Sequence, residues 1–241
     1  MRQRWSDVGF VHWAVDPADV AHLFPRGVRP DVLDGRTYVG LVPFRMVGAG
    51  FAHGPAVPWA GTFLETNVRL YSVDDAGRRG VVFLSLDTDR AVVVAGARAA
   101  FGLPYRWARM RHRAERGTHR YAARLRWPGV RAESRIGLRP GGPAPDGPLE
   151  HFLTARWGLH TAYPGRTRYV ANTHPAWPLR TADLTELDDG LVASVGLGHL
   201  VTGAPDHVAF SDGVPVSFAL RRRLGPDRLG PDQLDSVSSK E

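Results

Sequence analysis

The amino-acid sequence predicts an α+β fold, with a β-rich antiparallel sheet or cone and a few flanking helices. Many short runs are rich in aromatic and β-branched residues, a composition typical of strands. Turn signals separate these runs, and three segments carry the features of helices. This pattern is typical of a sheet covered by a small number of packed helices.

The predicted strands share an aromatic and β-branched composition, and sequences such as "DDAGRRG", "ERG" and "WPG" bound several of them. They are residues 8–13, 36–46, 63–73, 80–87, 105–116, 119–127 and 167–173.

The first predicted helix lies in "DPADVAHLF", where Asp16 is a suitable N-cap and Pro17 suits the first helical position. Apolar runs predict two further helices within 88–101 and 147–157.

The chain of 241 residues is predicted to form one domain over 1–224, followed by a flexible tail over 225–241. The tail is polar and rich in turn-forming residues. Inside the domain, "LRPGGPAPDGP" at 138–148 is expected to be a loop, because proline and glycine interrupt regular structure.

Composition excludes several kinds of chemistry. The chain has no cysteine, so it has no disulfide, thiolate nucleophile or cysteine-based zinc site. Its start lacks the apolar stretch of a secretory signal, and no run approaches the roughly 18 apolar residues that span a bilayer. We therefore expect a cytoplasmic protein without membrane contact, and no cofactor motif is present.

The formal charge of +7 raises the question of nucleic-acid binding. Almost all of the basic residues are arginines spread along the chain, which favours a compositional bias over a dedicated phosphate-binding surface. The only lysine is Lys240, in the predicted tail, so the predicted domain has no lysine that could form a Schiff base.

Alternation along "FLETNVRLYS" gives the first indication of a site. Successive side chains of a strand point to opposite faces, so Glu65, Asn67 and Arg69 share one face while Val68 and Leu70 lie on the other. The apolar face is expected to be core. The polar face is either a solvated surface or the lining of a cavity.

The next predicted strand alternates in the same way and carries Ser85 and Asp87 on one face. If the two strands pair as a hairpin, these groups join the polar face. Carboxylates beside arginine and tyrosine can transfer protons, and a buried carboxylate between guanidinium groups is expected to stay ionised.

Five motifs in order resemble the YqjF-like family of uncharacterised proteins, a domain of unknown function in the acetoacetate decarboxylase-like superfamily. They are "HW" at 12–13, "FLETNVRLYS", "VVFLSLD", "GARAAFGLPYRWARM" and "NTHPAWPL". The similarity spans about 1–224. It implies an acetoacetate decarboxylase-like β-rich cone or barrel with flanking helices and a small-molecule pocket inside the sheet.

The more distant resemblance to acetoacetate decarboxylase bears on the Gly-Leu-Pro corner at 102–104. Those enzymes have a pair of lysines after the equivalent corner, and the first forms a Schiff base whose pKa the second lowers. This chain has Tyr105 and Arg106 there instead. A phenol forms no imine and a guanidinium stays protonated, so Schiff-base decarboxylation is not expected. Glu65 falls near an acidic residue of the decarboxylase pocket.

Three other residues are candidate ligand contacts. Arg98 lies in an apolar helical run, where its charge needs either an ion-pair partner or an anionic ligand. His12 and His174 are either pocket acids and bases or structural histidines. No cluster has the spacing of a metal site, so no metal is expected.

Three classes of function follow. The favoured one is a cofactor-independent lyase- or isomerase-like enzyme for a small anionic or enolisable metabolite, in which Glu65 moves a proton and Tyr105 donates a hydrogen bond. Arg69, Arg98 or Arg106 would bind the carboxylate or enolate. The alternatives are a binding or sensing protein with the same pocket, and a nucleic-acid binder using the arginine-rich hairpin 105–127. The oligomeric state stays open, a homo-oligomer included.

Overall fold

The computed structural model describes residues 2–50, 61–163 and 165–218, and the predicted tail lies outside them. The strands are β1 (Arg2–Val15), β2 (Val28–Pro30), β3 (Thr37–Val47), β4 (Phe63–Asp74), β5 (Arg79–Thr88), β6 (Tyr105–Glu115), β7 (Thr118–Leu125), β8 (Glu133–Pro143), β9 (Gly158–Tyr163), β10 (Arg166–Thr173), β11 (Leu179–Asp189) and β12 (His207–Phe218). The helices are α1 (Pro17–Val20), α2 (Ala91–Phe101) and α3 (Pro148–Thr154), with short 3-10 turns at Ala21–Leu23, Ala193–Val195 and Gly198–Leu200.

The strands form one mainly antiparallel sheet that closes on itself. Its order is β10-β9-β5-β6-β7-β8-β11-β12-β1-β3-β4-β2, and β4 also pairs with β5. The parallel neighbours of β5 are β6 and β9. The pairing of β4 with β5 closes one ring of strands, which contains β6, β7, β8 and β11. The pairing of β10 with β12 closes a second ring, which contains β9 and β10. The two rings share one wall, which consists of β12, β1, β3, β4 and β5.

Each ring encloses its own interior. The main core fills the ring that contains β6, β7, β8 and β11, and it includes Val11, Leu41, Val68, Leu138 and Phe210. Other apolar clusters line the opposite side of the shared wall and reach α3 and β9. Because side chains alternate along a strand, the shared strands supply residues to both interiors.

The predicted α+β fold is confirmed, and all seven predicted strands and three predicted helices are present. The N-cap prediction is also confirmed, because the Asp16 side chain accepts a hydrogen bond from the Ala18 N–H at 2.8 Å and Pro17 opens the helix. The loop predicted at 138–148 is wrong in part, since β8 continues to Pro143. Pro140 and Pro143 are accommodated there because β7 no longer pairs with β8 beyond Leu138 and the register with β11 shifts.

Candidate functional site

A cavity of about 280 Å³ lies in the smaller ring, between the shared wall and α2, α3, β9 and β10. Its volume and its mainly apolar walls match those of small-molecule sites. The apolar walls include Trp5, Phe10, Phe63, Phe83, Leu103 and Trp177. Polar lining groups include Glu65, Asn67, Arg69, Tyr105, Arg156, Thr161, Asn172 and His174.

Strand β4 supplies three of these polar groups from one face. Glu65, Asn67 and Arg69 line the cavity and are 2%, 2% and 6% exposed, whereas Val68 and Leu70 belong to the main core. The alternation predicted from the sequence is therefore confirmed. The polar face of β4 thus lines a cavity and is not a solvated surface.

Strand β5 does not follow simple alternation. Val68 pairs with Ser85 and Arg69 with Phe83, so Leu84 is an extra residue that forms a bulge. Phe83 lines the cavity, while Ser85 and Asp87 do not. The expectation that Ser85 and Asp87 join the face of Glu65 is wrong, because the bulge reverses the side to which the rest of β5 points.

Asp87 instead forms a buried ion pair with Arg106. The Arg106 Nε and Nη2 atoms donate to the two carboxylate oxygens at 2.6 and 2.7 Å, and Nη1 donates to the Ser194 hydroxyl at 3.0 Å. Arg106 does not line the cavity, since adjacent residues of β6 point to opposite sides. The expectation that Arg106 acts beside Tyr105 on a ligand is thus wrong, and its pair with Asp87 is structural.

The Gly-Leu-Pro corner delivers Tyr105 to the cavity. Gly102 ends α2 with φ of 65°, a left-handed conformation that glycine adopts without strain. The carbonyl of Pro104 then accepts a hydrogen bond from the Leu86 N–H at 3.1 Å, which fixes the start of β6 beside β5. The corner therefore holds a phenol where its hydroxyl reaches β4.

Tyr105 donates a hydrogen bond from its hydroxyl to Glu65 Oε2 at 2.9 Å. The prediction that Glu65 lies within one small ligand's reach of Tyr105 is confirmed. Burial raises the pKa of Glu65 to about 7, although hydrogen bonds from Tyr105 and Asn67 oppose this shift. The expected permanently ionised carboxylate is therefore wrong, because its hydrogen-bond partners are a phenol and an amide rather than guanidinium groups.

Arg69 is held by a chain of uncharged side chains. Its Nε and Nη2 atoms both donate to the Tyr71 hydroxyl, at 3.2 and 3.1 Å, so the phenol proton goes to His12 Nε2 at 2.6 Å. His12 then carries its proton on Nδ1, which lies 3.0 Å from His207 Nδ1. Gly40 leaves room for this arrangement, since a Cβ there would lie 3.1 Å from His12 and 3.2 Å from Arg69.

His12 thus lies behind the cavity wall rather than among the lining residues. Burial, followed by the charges of His207 and Arg69, lowers the pKa of His12 well below its usual value, which agrees with a neutral ring. The structure therefore places His12 as a support for Arg69 and Tyr71, and the expectation of a direct ligand contact is wrong.

Arg69 has no carboxylate partner within 4 Å among the described residues. A buried cation without a counter-ion is costly, and an anionic ligand offsets that cost. Arg69 is therefore a cationic group without a carboxylate partner among the described residues, in a cavity whose walls are mainly apolar.

Arg98 is exposed on α2 and does not line the cavity. Its Nη1 donates to the Tyr105 carbonyl oxygen at 3.0 Å, and its guanidinium carbon lies 4.9 Å from the centre of the Trp127 ring. Among the described residues, Arg98 does not form the expected ion pair. The expectation that Arg98 binds a ligand is wrong because its part of α2 faces outward.

His174 lines the cavity, which is where the sequence analysis expected it. Its Nδ1 and Nε2 atoms lie 2.8 and 3.2 Å from the carbonyl oxygens of Pro175 and Arg156, and its ring packs near Trp177. Both of these oxygens are acceptors, so a neutral His174 ring donates to one of them and a protonated ring to both, and the ring packs into the wall of the cavity.

Sequence reasoning did not identify Arg156, Thr161 and Asn172, which line the cavity from the segment after α3 and from β9 and β10. Nothing in the local pattern around Arg156 distinguishes it from the many other arginines of the chain.

The arginine-rich hairpin forms β6 and β7, with Arg109, Arg111 and Arg113 exposed on β6. Arg109 lies directly opposite Arg124, and Arg113 opposite Arg120, so like charges face each other across the strands. Trp107 is also exposed on this hairpin.

The helices of the described residues are all too short or too polar to cross a membrane. Within the same residues, no group of three or more histidine, aspartate or glutamate side chains is arranged to hold a metal ion.

Comparison with solved structures identifies the fold. An acetoacetate decarboxylase from Legionella pneumophila matches with a TM-score of 0.60 at 17% identity, covering 90% of this chain and 84% of that one. The enduracididine biosynthesis enzyme MppR, in its complex with pyruvate, matches with a TM-score of 0.56 at 19% identity, covering 89% of this chain and 87% of that one. The architecture is thus acetoacetate decarboxylase-like.

Comparison of sequences gives the family. The uncharacterized protein YqjF of Bacillus subtilis is 33% identical over 186 residues, which cover 76% of each chain. Residues 2–215 match the family model DUF2071, described as an uncharacterized conserved protein. The chain therefore belongs to the DUF2071 family, and it combines the acetoacetate decarboxylase-like fold with a cavity that holds Glu65, Tyr105 and Arg69.

Proposed function

We propose that this protein is an enzyme that moves a proton on a small, enolisable carboxylate bound in the cavity. The observation that carries the proposal is a carboxyl group, Glu65, that is fully buried in a cavity, hydrogen-bonded by Tyr105, and has a pKa of about 7. A group with this pKa exchanges protons readily near neutral pH.

The lining residues support a simple division of roles. Arg69 would bind the substrate carboxylate, because its charge lacks a partner among the described residues and its remaining N–H groups suit a carboxylate. In its ionised form, Glu65 would take a proton from the carbon next to the substrate carbonyl. The Tyr105 hydroxyl has one proton, so on substrate binding it would turn from Glu65 to the carbonyl oxygen, where it would stabilise the negative charge that moves onto that oxygen.

Tyr105 suits the donor role because it keeps its proton. Burial, followed by the charge of Glu65 and the hydrogen bond to it, raises the pKa of Tyr105 well above its usual value. In an isomerase, the acid form of Glu65 would then return the proton to the same or another carbon of the enolate. In a lyase, the enolate would instead expel a leaving group from the next carbon as a C=C bond forms, and the acid form of Glu65 would protonate that leaving group. The chemistry needs no lysine and no cofactor.

The test is deuterium exchange of pyruvate in D2O, followed by proton NMR. Pyruvate is the probe because the structurally similar MppR binds it. Exchange of the methyl protons above the buffer rate is expected with the wild-type protein, and its loss is expected in Glu65→Gln. The matched control is Glu150→Gln, which alters a carboxyl group outside the cavity and should leave exchange intact. Binding without exchange would contradict catalysis and identify a binding or sensing protein.

A further inference from the structure

Arg156 lines the cavity and carries an unused hydrogen-bonding group. The residue is 5% exposed, its Nε donates to the Phe152 carbonyl at 2.7 Å, and its Nη1 pairs with Asp31. Its Nη2 is buried and has no hydrogen-bond partner among the described residues. Leaving such a group unsatisfied is costly, so an unpartnered guanidinium nitrogen on a residue that lines a cavity points to a ligand acceptor.

The surrounding charges do not balance. Asp31 accepts hydrogen bonds from both Arg156 and Arg79, so two cations share one carboxylate. Arg69 adds a third cation, and the guanidinium carbons of Arg69 and Arg156 lie 5.4 and 5.0 Å from the centre of the Tyr71 ring. This side of the cavity therefore carries an excess of positive charge.

Arg156 keeps its charge at neutral pH. Burial lowers the pKa of Arg156 to about 10, although the hydrogen bond and charge of Asp31 oppose the shift. Burial also tends to raise the pKa of Asp31, but its bonds to Arg156 and Arg79 outweigh this and leave the value lowered. A second negative group on the ligand would therefore be attracted to Arg156.

Neighbouring polar groups fit the same ligand. Asn172 lies beside the Arg156 segment, because its N–H donates to the Trp157 carbonyl at 3.0 Å. The side-chain oxygen of Asn172 is buried and has no hydrogen-bond partner within the part of the chain that the structure describes, and Thr161 lines the same cavity.

We propose that the cavity binds a small oxo acid with two carboxylates, one on Arg69 and the other on Nη2 of Arg156. This assignment rests on the proposed function for the reacting end of the ligand, and it adds the chemical class of the other end. Two arginines on separate elements that meet near one tyrosine ring favour two linked anionic groups over a single monocarboxylate.

Calorimetric titration with a matched pair of ligands tests the proposal. 2-Oxoglutarate and 2-oxopentanoate have the same carbon chain and differ in a terminal carboxylate or methyl group. A charge-assisted hydrogen bond contributes enough for the wild-type protein to bind 2-oxoglutarate about tenfold or more tightly. Arg156→Met is expected to remove that preference without weakening 2-oxopentanoate. Arg69→Met should weaken both ligands.

The matched control is Arg79→Met, which removes a cation from the same carboxylate but does not line the cavity, and it should keep the preference. If Arg156→Met fails to fold, the wild-type comparison still decides the outcome, and Arg156→Gln supplies a milder change. Equal wild-type affinity for the two ligands would overturn the second anion site.

Succinate and butanoate separate the two proposals, because neither has a ketone group that can enolise. A preference for succinate without any pyruvate exchange would uphold the dicarboxylate site and refute the proton transfer. Pyruvate exchange without any preference for either dicarboxylate would uphold the proton transfer and refute the dicarboxylate site. Absence of both binding and exchange would overturn both proposals.

Discussion

Glu65→Gln is expected to change how stability depends on pH. In the folded protein the pKa of Glu65 is raised from 4.5 to about 7, so the folded state binds a proton more tightly than the unfolded state. Stability is therefore fully present below the unfolded value and falls as pH rises from there toward the folded value. Each pKa unit corresponds to about 1.4 kcal/mol, so the complete loss is about 3 kcal/mol.

The glutamine variant lacks this titration but can still accept the hydrogen bond from Tyr105. Its free energy of unfolding should thus gain about 2 to 3 kcal/mol relative to wild type between about pH 5 and about pH 8. Urea unfolding followed by circular dichroism at several pH values measures the difference, and the other titrating groups cancel because both proteins share them. Parallel pH profiles for the two proteins would refute the raised pKa and with it the assignment of Glu65 as a proton carrier.

Three further outcomes are expected. Arg106→Met leaves Asp87 buried without its partner, so the free energy of unfolding measured in urea should fall by about 3 to 5 kcal/mol. Any ligand affinity measured by calorimetry should stay unchanged. A variant that is as stable as wild type but has lost ligand binding would show that Arg106 belongs to the site. Acetoacetate with borohydride should leave no covalent adduct within the predicted domain, since the sole lysine is Lys240 in the predicted tail, and an adduct within 2–218 found by mass spectrometry of peptides would contradict this. Duplex DNA should bind the hairpin 105–127 weakly in fluorescence titrations, with affinity collapsing between about 50 and about 200 mM salt, and tight sequence-selective binding at the higher salt would revive the nucleic-acid interpretation.

Local rules predicted the parts of the structure that depend on neighbouring residues. Alternation along β4 placed Glu65, Asn67 and Arg69 together, because the period of a strand is a property of its own backbone. It failed on β5, since the bulge at Leu84 arises from the register with β4 and leaves no mark on the period of the sequence. Strand β12 was not predicted because Gly213 and Pro215 resemble turn signals, although the strand lies centrally in the sheet.

The charges and pKa values of the site depend on residues that are distant in the sequence. Arg156 acquires its position from Asp31, which is 125 residues away, and no spacing rule links them. Likewise, the pKa of Glu65 reflects which side chains surround it, and the sequence alone favoured guanidinium groups that the fold directs elsewhere. Candidate residues were thus predictable where they shared a strand, and were not where tertiary contacts defined them.

The wall shared by the two rings restricts how this cavity can diversify. A substitution that enlarges a side chain on β1, β3 or β4 displaces a backbone whose reverse side is packed into the main core, so a new ligand specificity there carries a folding penalty. Helix α2 and strands β9 and β10 face the cavity without belonging to that core. Family members that accept different ligands are therefore expected to differ mainly on this outer side, and directed evolution of the protein has most freedom there.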